Sequence, residues 1–231
     1  MTRVLVLTAV DLEARGLARH LGLAAVPGRP WPHFAAGTLE IVGVGLRAAH
    51  VEERVRDAPA RLIVSAGACG ALDPALPAGA LVVPEAVVTA DGARFATAVL
   101  PGLPRRGTLR SVAGVIETAS AKARLWLETG AAAADMESAT ILAWAARRGV
   151  PAAVVRAVSD TAERGVPADL ARVVGEDGRL RPMRAVGAVL ARPGAVAEAM
   201  ALRQGTAAAL RTVAAALAAL ARQSHAGDRV R

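Results

Sequence analysis

Carboxylates follow strand-like segments at several points of this chain. AAAADMES contains Asp135 and Glu137, PAAVVRAVSD ends at Asp160, and the run RVLVLT leads to Glu13. In an open α/β sheet the ligand lies beyond the carboxyl ends of the strands. If these strands are parallel, we expect the acids to converge on one edge of the sheet and to form a binding or catalytic site there.

Two of these acids, Glu137 and Asp160, could have different roles in one site. ESATILAWAARRG separates their strands, has helical spacing and would be the crossover helix of a βαβ unit, which places Glu137 and Asp160 on the same edge. One carboxylate can accept hydrogen bonds from ligand hydroxyls, and the other, if partly buried, can hold a proton and act as a general acid. Met136 would add a soft apolar wall. Each acid alone could instead complement a helix dipole or cap a turn, and it is the convergence that favours a site.

A glycine-rich segment, SAGACGALDPAL, follows another buried strand. It matches neither the P-loop nor the dinucleotide-binding pattern. Gly67 and Gly70 are predicted to let the backbone approach a small ligand beside Ala68, and a tight turn after the strand is the alternative. Cys69 has no histidine near it in the sequence and is expected to be a small buried side chain.

Composition excludes several classes of function. The formal net charge of +8 comes almost entirely from scattered arginines, since Lys122 is the only lysine, and few aromatic side chains are available to stack on bases. Nucleic-acid binding is therefore not expected. The histidines have no metal-ligand spacing, so no metal is predicted. A single cysteine suits a reducing compartment, and no convincing signal peptide or membrane span is found, so a cytoplasmic protein is expected.

Strands and helices alternate along most of the chain. This predicts a three-layer α/β fold with a mixed, mainly parallel central sheet flanked by helices. Residues 1–223 are predicted to form a single domain, in which 182–223 is a helical extension broken at 192–194, and 224–231 a disordered tail. Strands are predicted at 3–8, 38–45, 61–67, 80–88, 108–118, 131–136 and 151–160, helices at 11–21, 47–57, 120–130 and 137–149, with a loop after residue 67 and irregular structure at 89–106.

The motifs SAGACGALDPALPAGALVV, ADMESA and VVRAVSD, in this order, resemble the nucleoside phosphorylase and nucleosidase superfamily over residues 3 to about 160. That superfamily includes purine nucleoside phosphorylases, methylthioadenosine/S-adenosylhomocysteine nucleosidases and futalosine hydrolases. GALDPALPAG, AKARLWLETGAAAADMESA, GEDGRLRP and LARPG are further similar to its hopanoid-associated phosphorylase branch. The resemblance implies cleavage of an adenine nucleoside, with adenosylhopane as the best guess. A nucleosidase for methylthioadenosine, S-adenosylhomocysteine or futalosine is the first alternative, and a non-catalytic nucleoside- or lipid-binding protein the second.

The resemblance also implies a role for each motif residue. Asp160 matches the acid that protonates or hydrogen-bonds the purine N7, and Ser159 helps to place it. Glu137 matches the acid that binds the ribose hydroxyls, and Met136 the side chain packed on the ribose. Glu13 matches the glutamate that orients the attacking water. The remaining substrate-binding positions carried over are Asp135, Gly67, Ala68 and Gly70.

Departures from the family pattern leave the nucleophile open. Hexameric phosphorylases hold phosphate with an arginine and a serine, and the matching positions here are Ser65 and Ala68. With Glu13 this favours water, although Arg47 could still bind phosphate as a co-substrate. No cofactor is implied. The aromatic ring that stacks on the base in methylthioadenosine nucleosidases is missing from ETASAKA.

The resemblance implies a homodimer or larger homo-oligomer. As a hypothesis, the C-terminal helices form an apolar mouth for a lipid-like tail or contact a membrane. Ordinary packing or a subunit contact is the favoured alternative.

Overall fold

The computed structural model describes residues 3–166, 173–179, 181 and 195–228. Its strands are β1 Val4–Thr8, β2 Ala24–Ala25, β3 His33–Ala36, β4 Leu39–Gly43, β5 Leu62–Ala71, β6 Leu81–Val82, β7 Ala86–Val88, β8 Arg94–Ala96, β9 Thr108–Ser111, β10 Ala133–Asp135 and β11 Ala152–Asp160. Its helices are α1 Asp11–Leu21, α2 Val51–Val55, α3 Ala119–Thr129, α4 Ser138–Arg147 and α5 Ala195–Asp228, with a 3₁₀ turn at Leu46–Ala48.

The described strands form one mixed sheet. Its order is β2-β3-β4-β1-β5-β10-β9-β7-β8, and β11 pairs with both β5 and β6. The centre is parallel, since β1 pairs in parallel with β4 and β5, and β11 with β5. Antiparallel pairs lie mainly towards the edges, as in β2–β3, β3–β4 and β7–β8. With helices on both faces, this confirms the predicted fold class.

Strand β5 is a central strand of the sheet and pairs with three other strands. Residues 62–65 pair with β1, Gly70 and Ala71 pair with β10, and residues 63–70 pair with β11. Because Gly70 pairs with β10 and β11 at once, these two strands lie on opposite edges of β5. β10 runs antiparallel to β5, whereas β11 runs parallel to it. The predicted βαβ unit is therefore wrong, because α4 joins two strands that run in opposite directions.

Several predicted element boundaries also differ. The loop expected after residue 67 begins only after Ala71, because β10 and β11 pair with this stretch and extend β5. The segment expected to be irregular contains β8, which pairs with β7. β9 ends at Ser111 rather than near residue 118, and the helix expected at 47–57 is the 3₁₀ turn followed by the short α2. The hairpin of β2 and β3 was not predicted.

Apolar clusters on both faces of the sheet make the three layers. On one face, Leu17 of α1 and Leu210 of α5 pack against sheet residues such as Val155. On the other face, Ile141 and Trp144 of α4 pack with Leu5, Ile63 and further residues of α2 and the sheet. The buried faces of α1 and α4 follow the helical spacing of their apolar residues, which is why both helices were predictable.

The last helix, α5, is long and partly exposed. Val196–Gln223 is long and apolar enough to cross a membrane by length and composition, and 44% of its most apolar window is buried inside the fold. Core helices of soluble proteins pass the same test. The helix continues past residue 224, where we expected a disordered tail to begin. The break predicted at 192–194 lies outside the described residues.

Candidate active site

Two glycines of β5 mark where the predicted site residues gather. Gly67 has φ +148°, and a Cβ there would collide with Glu13 Oε1 and lie 2.8 Å from Arg156 Nη1. A Cβ at Gly70 would lie 2.8 Å from Asp160 Oδ2. Both positions therefore have to lack a side chain, because acidic and basic groups occupy the space above them. The glycines were predicted to let backbone approach a ligand, and here they admit protein side chains.

Arg156 is the centre of the first cluster, above Gly67. This side chain is 1% exposed and lies at the position of β11 that pairs with Gly67. Nη2 is 2.7 Å from Asp135 Oδ2, 3.7 Å from Glu137 Oε2 and 2.9 Å from Ser65 Oγ. Burial lowers the pKa of the guanidinium, but the surrounding carboxylates outweigh burial and raise that pKa above its ordinary value.

Glu13 is held over β5 by backbone amides. Oε1 accepts a hydrogen bond from Ala68 N at 2.8 Å, and Oε2 accepts from the N–H groups of Ala9 and Val10 at 3.1 and 3.3 Å. Burial raises the pKa of this carboxyl, against the opposing effect of Arg156 and the three backbone hydrogen bonds. Such a group can take up a proton closer to neutral pH than an exposed glutamate can.

Glu137 follows β10 and reaches the same cluster from the opposite side. Its Oε1 accepts a hydrogen bond from Arg47 N at 3.0 Å. The pKa of Glu137 is raised to about 7. Burial is the main cause, and Asp135 and Glu13 also raise this pKa, whereas Arg156 and the hydrogen bond from Arg47 N lower it. The antiparallel direction of β10 explains this placement, because the end of β10 runs back along β5 towards Gly67. The acids converge as predicted, but not through parallel strands.

Asp135 is engaged entirely within the protein. Besides the ion pair with Arg156, its carboxylate accepts hydrogen bonds from the hydroxyl and the backbone N–H of Ser138, the latter at 3.2 and 3.3 Å. These contacts orient Arg156. Met136, predicted beside a ligand, is half-buried between the two acids in the sequence.

Asp160 forms the second cluster, above Gly70. Its Oδ2 is ion-paired with Lys122 of α3, and Ser159 Oγ lies 2.6 Å from Oδ1. Lys122 and Arg156 were both missed as site residues. The signal for Arg156 was its place in VVRAVSD, and that for Lys122 was its being the only lysine of the chain.

A short segment at 175–178 supports the loops that carry two of the acids. Gly178 O accepts a hydrogen bond from Asp11 N at 3.0 Å, and Glu176 O accepts from Leu46 N at 3.0 Å. The Arg47 guanidinium, predicted as a phosphate ligand, is 2.9 Å from Glu176 Oε1. The GEDG segment thus ties the turn that leads to Glu13 to the turn whose amide binds Glu137.

A cavity of about 830 Å³ opens beside the second cluster. Polar groups of Asp160 and the following loop line one side. Residues of α5 line the other, both apolar ones such as Ala197, Ala201 and Leu202 and the polar Glu198 and Gln204. Glu137 is not among the described residues that line this cavity, which therefore begins at the Asp160 end of the site.

Comparisons with known proteins found a matching sequence family and solved structures with the same fold. Residues 103–191 match the sequence model of the Phosphorylase superfamily. That match contains Lys122, Glu137, Arg156 and Asp160. No curated protein sequence is significantly similar to the chain.

Solved structures share the fold over nearly the whole chain. A 5′-methylthioadenosine/S-adenosylhomocysteine nucleosidase from Neisseria meningitidis has a TM-score of 0.69 at 16% identity, covering 96% of this chain and 100% of its own. A futalosine hydrolase mutant of Helicobacter pylori has a TM-score of 0.68 at 15% identity, with 96% and 100% covered. At these identities the likeness establishes the nucleoside phosphorylase and nucleosidase fold.

Proposed function

We propose that the protein cleaves the N-glycosidic bond of a purine nucleoside, with adenine as the base. The main support for this proposal is that two buried clusters of charged side chains lie along β5. Glu13 and Glu137 belong to the cluster at Gly67, and Asp160 belongs to the cluster at Gly70.

Cys69 lies between the two glycines, and charged groups of both clusters act on its thiol, Arg156 and Asp135 from the first and Asp160 and Lys122 from the second. The two clusters are therefore close enough for one nucleoside to place its ribose at the first and its base at the second.

The first cluster would bind the sugar. Glu137 uses Oε1 for the amide of Arg47, which leaves further lone pairs of its carboxylate for the ribose 2′- and 3′-hydroxyls. Hydrogen bonds of this kind fix the ribose while positive charge develops at C1′. Binding that is stronger in the transition state than in the ground state raises kcat, whereas binding that is equally strong in both states only lowers KM.

The second cluster would take charge from the leaving group. As the bond between C1′ and N9 breaks, its electron pair moves into the purine. A proton that the carboxyl group of Asp160 has taken up before cleavage passes to N7. This leaves an aspartate carboxylate, ion-paired with Lys122, and a neutral base. Lys122 and Ser159 hold the carboxyl group in one orientation.

The charges of the first cluster favour water over phosphate as the nucleophile. Among the described residues, the guanidinium that lies among the carboxyl groups of Asp135, Glu137 and Glu13 is that of Arg156. A phosphate anion placed there would meet more negative than positive charge. A water molecule instead could form the new bond to C1′ and give its proton to Glu13, whose raised pKa suits a base. We therefore favour hydrolysis without a cofactor.

For the 5′ substituent we propose an apolar group, with adenosylhopane as the best guess. The support is the set of motifs that resemble the hopanoid-associated branch. Val196 and Met200 of α5 are exposed, at 52% and 57%. These side chains suit contact with a lipid-like substrate at the membrane surface. We also propose a homodimer or larger homo-oligomer.

A small soluble nucleoside is the second candidate. Its support is the fold shared with nucleosidases for 5′-methylthioadenosine and S-adenosylhomocysteine, and an aspartate-to-asparagine mutant of the Helicobacter pylori enzyme holds 5′-methylthioadenosine in its active site. Futalosine is a further candidate on the same ground.

The deciding experiment is the release of adenine from adenosylhopane and from 5′-methylthioadenosine, each with and without phosphate. Release without phosphate, with the unphosphorylated ribose that still carries its 5′ substituent as the sugar product, supports hydrolysis. Strict dependence on phosphate would show a phosphorylase. Release from neither substrate, with binding retained, would support a non-catalytic binding protein.

An Asp160→Asn variant tests the assignment of the acid. We expect it to bind the nucleoside but to lose at least about 100-fold in turnover, since general acid catalysis contributes about 10²- to 10⁴-fold. Asp57→Asn, at an exposed position, is the control and should be fully active. Normal turnover by Asp160→Asn would show that another group protonates the base.

A further inference from the structure

Lys122 is a buried cation that the proposed chemistry does not by itself require. It is the only lysine of the chain, and its residue is 1% exposed. The side chain leaves the first turn of α3, which begins after Thr118, whose hydroxyl accepts a hydrogen bond from Ala121 N at 3.1 Å. Burying an ammonium group is costly unless acceptors surround it. The groups that Lys122 contacts therefore indicate the role of its buried charge.

Within the part of the chain that the structure describes, its hydrogen bonds are with Asp160, the last residue of β11, and with Thr161, which follows it. Nζ is ion-paired with Asp160 Oδ2, and it donates to Thr161 O at 2.9 Å and to Asp160 O at 3.3 Å. An ammonium has three N–H donors, so none is left for a ligand. Lys122 thus binds both the side chain and the backbone of Asp160.

Gly70 and Ser159 also surround the pair of Lys122 and Asp160. Gly70 makes room for the pair, since a Cβ there would lie 3.3 Å from Nζ as well as 2.8 Å from the carboxylate. The hydroxyl of Ser159 has one hydrogen and two acceptors in range, Asp160 Oδ1 at 2.6 Å and Cys69 O at 3.2 Å. It can donate to Oδ1 when Asp160 is ionised and to Cys69 O when Oδ1 carries a proton.

We infer that Lys122 is a positioning residue for the acid that protonates the leaving base; this inference rests on the proposed function. When Asp160 gives its proton to N7, negative charge develops on the carboxyl group that Lys122 contacts. The Nζ of Lys122 is already in contact with this carboxyl group before the transfer. Preorganised charge of this kind stabilises the transition state more than the bound substrate, so it acts on kcat rather than on KM.

Two variants of Lys122 separate charge from hydrogen bonding. Lys122→Met removes the charge and the donors at similar volume, and Lys122→Gln keeps N–H donors without the charge. We expect both to lose about 100-fold in kcat for adenine release from the better of the two test nucleosides, with KM changed less than about threefold. Arg124→Met is the matched control on α3, because Arg124 is 77% exposed, and it should keep kcat within about twofold.

A spectroscopic signal makes the test independent of folding of the variants. In protein labelled with ¹⁵N-lysine, a single side-chain nitrogen signal comes from Lys122, because no other lysine is present. We expect a slowly exchanging ammonium signal in the native protein, which shifts in Asp160→Asn and again when adenine is added to the native protein.

The outcomes are distinct. An active wild-type enzyme whose Lys122→Met or Lys122→Gln variant keeps its kcat would overturn the inference alone. A lysine signal that adenine does not move would overturn it even if both variants fail to fold. A wild-type protein that releases adenine from neither nucleoside would refute the proposed function and, with it, this role of Lys122.

Discussion

The ionisation of Glu137 should make the protein less stable as the pH rises, and Glu137→Gln should remove that effect. Burial raises the pKa of this carboxyl from 4.5 to about 7. The native state therefore keeps the proton up to a higher pH than the unfolded chain does. The stability that this proton contributes is fully present below pH 4.5 and is lost as the pH rises through about 7.

The size of the effect follows from the shift. One pKa unit corresponds to ~1.36 kcal/mol, so between pH 5 and pH 8 the wild type should lose about 2 to 3 kcal/mol relative to Glu137→Gln. For a chain of this length each kcal/mol moves Tm by about 2 to 4 °C, so the Tm difference should grow by about 4 to 12 °C.

The assay is thermal unfolding at pH 5, 6, 7 and 8 at constant ionic strength. Glu128→Gln is the control, because that side chain is 60% exposed on α3 and should follow the wild type at every pH. A Tm difference between Glu137→Gln and wild type that stays constant from pH 5 to 8 would refute the reasoning, since it would mean that burial does not hold the proton on Glu137.

Two further predictions follow from the packing around β5. Gly67→Ala should lower the free energy of unfolding by about 1 to 3 kcal/mol and abolish adenine release, because the new Cβ would displace Glu13 and Gly67 has a positive φ. Gly114→Ala, with open space around it, should change neither thermal unfolding nor activity, and equal behaviour of the two variants would contradict this account. Burial raises the pKa of the Cys69 thiol, so a thiol reagent should modify it only when denaturant unfolds the chain. Fast stoichiometric labelling of the native protein would show that β5 is accessible.

Local pattern was enough for much of the fold. α1 and α3 lie where helical spacing placed them, and α3 ends at Gly130 in the left-handed conformation, as glycine at a helix end predicts. α4 and β11 also agree with their patterns within a few residues. These elements were predictable because their signals depend on residues close together in the sequence.

Strand direction was not predictable in the same way. The short β10 has a pattern that suits either direction, and its antiparallel pairing with β5 depends on residues far away in the chain. The prediction that the acids converge assumed parallel strands, whereas Glu137 reaches Arg156 from the end of an antiparallel β10. The predicted parallel βαβ unit made the same assumption and was wrong.

The tertiary structure placed Gly67 and Gly70 on one strand, where the sequence predicted a loop after residue 67. The sequence by itself determined which acids stand at strand ends. The tertiary structure decided how the charges of these acids are balanced. Arg156 and Lys122 lie far from most of their partners in the sequence, and only the folded sheet brings each within contact of the buried carboxylates. A buried charge needs its partner in space, and spacing along the chain does not record which distant side chain supplies it.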